Sequence, residues 1–194
     1  MTDQMENDVE EWLRKRGVQF LKDVGVKKSQ IVLDFGCGAG HYTIPAAKVV
    51  GKEGEVYAMD KDSGVMNELM RTAKSESLKN IEPMKTQGEL KIELKDASVD
   101  VVLLYDVLHY MEQRRKILDE VYRVLKQGAL LSVYPKHHKL DDPLWTFASI
   151  GLEDIIREIE AAGFHFEGKS FKELMHDDNY DKGHILNFRK SDKK

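Results

Sequence analysis

Residues 31–40 read Ile31-Val32-Leu33-Asp34-Phe35-Gly36-Cys37-Gly38-Ala39-Gly40, and this stretch decides the fold class. Ile31 to Phe35 is a short, mostly apolar run of the kind that becomes a buried strand. Three glycines then fall within five positions, and His41 to Val50 carries the apolar spacing of a helix. Strand, glycine turn and helix in immediate succession form the opening crossover of an open α/β sheet. Glycine has no Cβ, so the turn can be tight and a ligand can approach the backbone closely. In such sheets the first crossover lies beside the ligand crevice.

The flanking sequence continues the alternation. Val9 to Val24 is expected to be helical, with Trp12, Leu13, Phe20 and Leu21 on one stripe and Gly17 interrupting it. Glu55 to Met59 is a second strand that ends in Asp60, and Asp62 to Leu78 is a helix. Ile81 to Thr86 is a weaker third strand because it holds Pro83. Val99 to Tyr105 is the strongest strand candidate, and its apolar run is suited to the centre of a parallel sheet. Glu112 to Leu125 reads as a helix stopped by Gly128, and Ala129 to Tyr134 as a fifth strand. A polar and aromatic connection, Lys136 to Ser149, leads to a helix at Leu152 to Ala162. Phe164 to Phe171 and Gly183 to Arg189 are expected to be a final strand pair with one antiparallel member. The expected fold is α/β, with right-handed crossovers through the first 135 residues.

Composition fits one domain over residues 1–194, with an N-terminal helix over about residues 8–24. Thirty Lys and Arg against 34 Asp and Glu leave a net charge of -4, which speaks against non-specific nucleic-acid binding. The single cysteine, Cys37, excludes intramolecular disulfides and Cys-rich metal sites and suits a reducing, cytoplasmic setting. The acidic N-terminus has no signal pattern, and no apolar run is long enough to span a membrane, so no membrane insertion is expected.

Asp60 stands 26 residues after Asp34, at the end of the second strand. An acid there can accept hydrogen bonds from both hydroxyls of a ribose. The glycine spacing is Gly36-x-Gly38-x-Gly40, which is not the G-x-G-x-x-G dinucleotide pattern. Asp34, two residues before the first glycine, would repel a nearby pyrophosphate. It can instead orient the loop, or hold a ligand ammonium directly or through water. There is no phosphate loop of the G-K-[ST] type. The chemistry favours a nucleoside with an amino-acid tail over a nucleotide phosphate.

On these residues the chain resembles the class I S-adenosylmethionine-dependent methyltransferases. Val32 to Gly40 looks like their first motif, Asp60 like their ribose-binding acid, and Tyr105-Asp106-Val107-Leu108-His109-Tyr110 like their segment after strand four. The resemblance covers roughly residues 18–190 and is nearest to the small-molecule branch of ubiquinone and menaquinone biosynthesis. It implies a Rossmann-like, seven-stranded, mostly parallel sheet with an antiparallel final strand and helices on both faces. It implies S-adenosyl-L-methionine as cofactor. Gly36, Gly38 and Gly40 would underlie the methionine part, with Cys37 as a small buried filler, and Asp60 would hold the ribose. Lys61 would lie beside the adenine, where the family usually has a small or apolar residue. Gly88-Glu89 resembles the family's Gly-Asp pair, so Glu89 would accept from the adenine amino group and Leu90 would pack on the ring. Asp106 would line the methionine end.

Methyl transfer needs an aligned nucleophile, and a hydroxyl or acidic-carbon acceptor also calls for a base. His109, after strand four, and His137 and His138, after strand five, are the candidates, since histidine titrates in the right range. His109 or Tyr110 can equally shape the pocket wall, and Tyr42 can cover the cofactor and line the acceptor site. Residues 135–150, with Trp145 and Phe147, are a candidate cover for that site. His176-Asp177-Asp178-Asn179 is rich in ligand atoms but stands too late in the chain for the family's magnesium site, so no metal is expected. The short chain leaves little room for acceptor-recognition modules, and the motifs of nucleic-acid and protein-arginine methylation are missing. A small-molecule acceptor follows, with a homodimer as one way to complete the pocket. A nucleic-acid or protein methyltransferase that borrows a recognition partner and a noncatalytic cofactor-binding protein are the alternatives.

Overall fold

The computed structural model describes residues 2–86, 91–136 and 150–191. Its strands are β1 (Ile31–Phe35), β2 (Glu55–Asp60), β3 (Ile81–Lys85), β4 (Val99–Tyr105), β5 (Leu125–Tyr134), β6 (Phe164–His176) and β7 (Asn179–Lys190). They form one seven-stranded sheet in the order β3-β2-β1-β4-β5-β7-β6. The β1/β2, β2/β3 and β4/β5 pairs are parallel, and β7 runs antiparallel to β5. Helices α1 (Thr2–Glu11), α2 (Gly17–Val24), α3 (Thr43–Val50), α4 (Ser63–Ser75), α5 (Arg114–Val124) and α6 (Leu152–Ala161) flank it. The mixed, mostly parallel Rossmann-like sheet expected from the sequence is the one found.

The chain separates into two compact units, one of residues 1–88 with 172–182 and one of residues 89–171 with 183–194. In the first, α3 is buried along nearly its whole length, with Ile44, Ala46, Ala47, Val49 and Val50 all inaccessible. That is why its sequence is apolar on nearly every side, Lys48 being the exception. Asp62 caps α4, its carboxylate accepting from the Gly64 N–H at 2.6 Å. Met66, Leu69 and Ala73 are the buried face of α4.

The N-terminal helix starts earlier than the apolar stripe indicates. Thr2–Glu11 continues through a π-helical turn, Trp12–Arg16, into α2. Its first turns carry mostly polar residues, so periodicity gave them no signal. Gly17 stands inside the helix because a Cβ there would lie 2.8 Å from Pro45 Cγ and 2.9 Å from the Trp12 ring. The residue that weakens the helix on propensity permits the packing against α3.

In the second unit, α5 ends at Val124 rather than running through Leu125 to a stop at Gly128. Leu125 already has extended backbone, with ψ 138°, and pairs with Val99. The register then shifts, so that Val101 faces Leu130. Gly128, with φ 69°, lies in this irregular stretch of β5 and is not a helix stop. Leu125 is fully buried, and that burial outweighs its good helix propensity. The helix-free segment before β4 is held by Arg123, which donates to the carbonyls of Ile92 and Leu94 and to Glu120 and Asp96.

The last two strands are longer than expected. β6 and β7 extend to a two-residue turn, Asp177-Asp178, where Asp177 takes φ 50°. Most of β6 is at least partly exposed. A strand so little buried carries polar residues on both faces, and an apolar-run criterion truncates it.

Candidate functional site

The glycine loop leaves β1 with all three glycines at positive φ: Gly36 at 79°, Gly38 at 51° and Gly40 at 96°. Only residues without a Cβ take such angles at little cost. The N–H groups of Gly36 and Cys37 both donate to the Met59 carbonyl, at 2.8 and 3.0 Å, which pins the loop to the end of β2. The Gly38 N–H donates to Asp60 Oδ2 at 2.9 Å. The other oxygen, Oδ1, accepts from the Asp62 N–H at 3.0 Å. Asp60 therefore ties the loop to the start of α4 with one carboxylate. At Gly40 a Cβ would fall 2.4 Å from Leu69 Cδ1, so α4 packs directly on the loop. Above Gly38 nothing described lies within 4 Å of where a Cβ would project, and the backbone there is open.

Asp34 is 2 % exposed and accepts from the Thr43 hydroxyl at 2.5 Å. Burial pushes its carboxyl up to about 7; the nearby Asp60 charge adds to this and the Thr43 hydrogen bond opposes it. Cys37 is buried, and burial, reinforced by Asp34 and Asp60, pushes its thiol far above the ordinary range. It carries no thiolate at neutral pH, consistent with a loop filler. Lys61 is exposed.

The two residues after the loop are held from several sides. The Trp12 indole N–H donates to the His41 carbonyl at 2.7 Å. The Tyr42 hydroxyl donates to the Met175 carbonyl at 2.6 Å, and the Tyr42 ring packs against Trp12 and Phe20. Tyr42 is thus committed to the β6–β7 turn region and the N-terminal helix. His41 Nε2 lies 3.2 Å from Asp178 Oδ1. Arg16 completes the arrangement, paired with Glu173 and lying 4.3 Å over the Tyr180 ring.

In the other unit, Asp106 takes φ 56°, and its N–H donates to the Tyr134 carbonyl at 2.9 Å. Its Oδ1 is 3.5 Å from His109 Nδ1. His109 sits in a 3₁₀ turn, Leu108–Tyr110, with its side chain 1 % exposed and its ring 3.8 Å from that of Tyr110. Tyr110 is 65 % exposed. The turn therefore points the histidine inward and the tyrosine outward. Gly88, Glu89, Leu90, His137 and His138 lie outside the described residues, as do Trp145 and Phe147. Among the described residues no group of three or more His, Cys, Asp and Glu side chains is placed to hold a metal ion.

Residues 33–133, more than half of the chain, match the family model described as a methyltransferase domain. The chain belongs to this family. It is a class I S-adenosylmethionine-dependent methyltransferase domain by sequence and fold. It is 30 % identical over 122 residues to a demethylmenaquinone methyltransferase of Lactobacillus johnsonii, a match covering 63 % of this chain and 48 % of that protein. The demethylmenaquinone methyltransferase of Staphylococcus aureus strain MRSA252 is 31 % identical over 111 residues, 57 % of this chain and 45 % of the relative. The match thus spans about half the length of these curated relatives. A solved SAM-dependent methyltransferase from Aquifex aeolicus is 26 % identical, with a TM-score of 0.74 over 98 % of both chains.

Several contacts of this methyltransferase domain had no signal in its sequence. Trp12 reads as a stripe residue, yet its N–H reaches the backbone of His41, 29 positions away. His176 to Asn179 reads as a stretch rich in ligand atoms with no metal to hold, yet Asp178 faces His41. No spacing rule connects residues so far apart.

Proposed function

We propose that this chain binds S-adenosyl-L-methionine and transfers its methyl group to a small-molecule acceptor. The observation that carries the proposal is the Asp60 carboxylate fixed at the end of β2 by the Gly38 and Asp62 amides. A carboxylate has about four acceptor sites, so two amide bonds leave capacity for both hydroxyls of a ribose. The open backbone at Gly38 gives a ligand room to come close. These residues fit the cofactor of the family, which supplies an electrophilic methyl group when bound.

In this reading Gly36, Cys37, Gly38 and Gly40 form the floor beneath the methionine part, and Asp60 holds the ribose. Asp34 anchors the loop to α3 through Thr43, and a nearby ligand cation would favour its ionised form. Lys61, Gly88, Glu89 and Leu90 flank the adenine, and Asp106 borders the methionine end. His109, His137 and His138 belong to the acceptor site. Burial of His109 beside Asp106 supports a fixed ring orientation.

The relatives named for demethylmenaquinone make a demethylated naphthoquinol the first acceptor to test. We further propose one domain over residues 1–194, a cytoplasmic location, no nucleic-acid partner and a homodimer. The net charge of -4 supports the absence of nucleic acid. Among the described residues no helix is long and apolar enough to cross a membrane.

Titration calorimetry with S-adenosylmethionine and with its demethylated product tests the proposal. Binding in the micromolar range is expected. No heat of binding up to millimolar concentration overturns it.

A further inference from the structure

We infer that His41, oriented by Asp178, is the base that takes the proton of a hydroxyl-bearing aromatic acceptor. The inference rests on the methyltransferase reading above and adds a residue to it.

His41 directly follows Gly40, the last glycine of the cofactor loop. Its backbone is fixed, because the carbonyl accepts from Trp12 at 2.7 Å. Its ring is oriented, because Nε2 faces Asp178 Oδ1 at 3.2 Å. Nδ1 has no hydrogen-bond partner among the described residues, and the side chain is 19 % exposed. A histidine with one nitrogen on a carboxylate and the other open is the arrangement by which a base is held in one tautomer and its cation stabilised.

The surroundings suit the role. Asp178 and Asp177 on the β6–β7 turn and Glu68 on α4 face the ring and favour its protonation, while burial is the larger effect and pushes it below its ordinary value. The imidazole is therefore neutral at pH 7, as a proton acceptor must be. Glu68 and Asp178 are two of the five carboxylates that line a cleft of about 500 Å³, whose apolar residues are Met5, Val9 and Leu13. That cleft offers a neutral aromatic molecule apolar contact beside Asp178, the partner of His41, and its carboxylates disfavour an anionic one.

The balance of the step is simple. The acceptor O–H bond breaks heterolytically and the proton passes to His41 Nδ1. The electron pair stays with the acceptor and forms the new bond to the methyl carbon at the oxygen, or at a conjugated ring carbon, whose C–H proton then moves to the oxygen as the ring becomes aromatic again. The sulfur keeps the pair of the carbon–sulfur bond that breaks. The imidazolium, paired with Asp178, returns its proton to water.

The test uses the whole protein with S-adenosylmethionine and a panel of demethylated naphthoquinols and phenols. NMR titration of labelled histidine follows His41 independently of turnover. His41→Gln is expected to lower kcat by about 100-fold or more, to abolish the acidic limb of the kcat profile, and to leave cofactor affinity within about twofold. Asp178→Asn is expected to lower the NMR-detected titration of His41 and to move the acidic limb by the same amount. A His41→Gln protein with wild-type kcat overturns the inference. So does an acidic limb that stays in place while the His41 titration moves. A wild-type protein that binds cofactor but methylates nothing on the panel overturns this inference alone. A wild-type protein that does not bind cofactor overturns the methyltransferase reading itself.

Discussion

The Trp12 indole N–H donates to the His41 carbonyl across 2.7 Å, joining the N-terminal helix to the residue that follows the glycine loop. Trp12 is 1 % exposed, and its ring meets Phe20, Tyr42 and Tyr180 edge-on or tilted, with centroids 5.4 to 6.2 Å away. Tyr180 in turn donates from its hydroxyl to the Asp8 carbonyl at 3.2 Å. One indole therefore links the N-terminal helix, the loop exit and β7. Disturbing it reaches the loop without touching a glycine.

Trp12→Phe isolates the polar part of this link. The ring remains aromatic, while the His41 carbonyl loses its donor. Removing one partner of a buried hydrogen bond costs about 1–3 kcal/mol, and the smaller ring adds a packing loss. A lower unfolding midpoint in urea and weaker cofactor binding in calorimetry are expected. Unchanged values for both would show that the His41 backbone is held by other contacts.

Sequence and structure agree best where one local signal decides the outcome. Ile31 to Phe35 and Val99 to Tyr105 are strands to the residue, because each is a mostly apolar stretch ended by a glycine or an acid. The turn at the glycines and the place of Asp60 at the end of β2 are legible for the same reason, since both depend on neighbours close in the chain. Leu125 reads as the end of a helix because propensity favours helix there, and only pairing with Val99 draws it into a strand. The approach of Asp178 to His41 was invisible, because a half-exposed hairpin hides its true length.

Asp60→Asn separates charge from shape at the loop. Both Asp60 oxygens accept from amides, at 2.9 and 3.0 Å. Asparagine offers one oxygen and an NH2 group, so one of these contacts becomes donor against donor. Charge-assisted bonds to the ribose hydroxyls weaken as well. Cofactor affinity is expected to fall at least about tenfold, equivalent to about 1.4 kcal/mol. Calorimetry on Asp60→Asn and Asp60→Glu provides the measurement, and wild-type affinity in both variants would remove Asp60 from the ribose site.

Gly40→Ala probes the contact of α4 with the loop. At φ 96° an L-residue is strained, and the new Cβ would meet Leu69 Cδ1 at 2.4 Å. Strain and overpacking together are expected to cost about 2–5 kcal/mol. Gly38→Ala is the contrast. It shares the positive φ but opens into space free of described atoms. Denaturant unfolding should therefore rank Gly40→Ala well below Gly38→Ala, whereas calorimetry should show that Gly38→Ala still weakens cofactor binding. Equal stabilities would mean that Leu69 repacks without cost.

The carboxyl of Asp34 makes stability depend on pH. Burial pushes it from an ordinary value of 3.8 up to about 7 in the folded protein. Between those values the folded state holds a proton that the unfolded state has released. Stability from this group is therefore fully present below about pH 4, falls as pH rises towards 7, and levels off above. A shift of about three units corresponds to a loss on the order of 4 kcal/mol across that window. Asp34→Asn keeps an acceptor for the Thr43 hydroxyl, whose bond to Asp34 is 2.5 Å, and removes the ionisation. The variant is expected to lose this decline and to exceed the wild type in stability at pH 8. Its cofactor binding should be weaker, because a ligand cation near the loop loses the carboxylate. Urea unfolding from pH 4 to 8 on both proteins measures the difference directly. Parallel profiles would mean that Asp34 titrates alike in the folded and unfolded chains, and that its burial does not hold the proton.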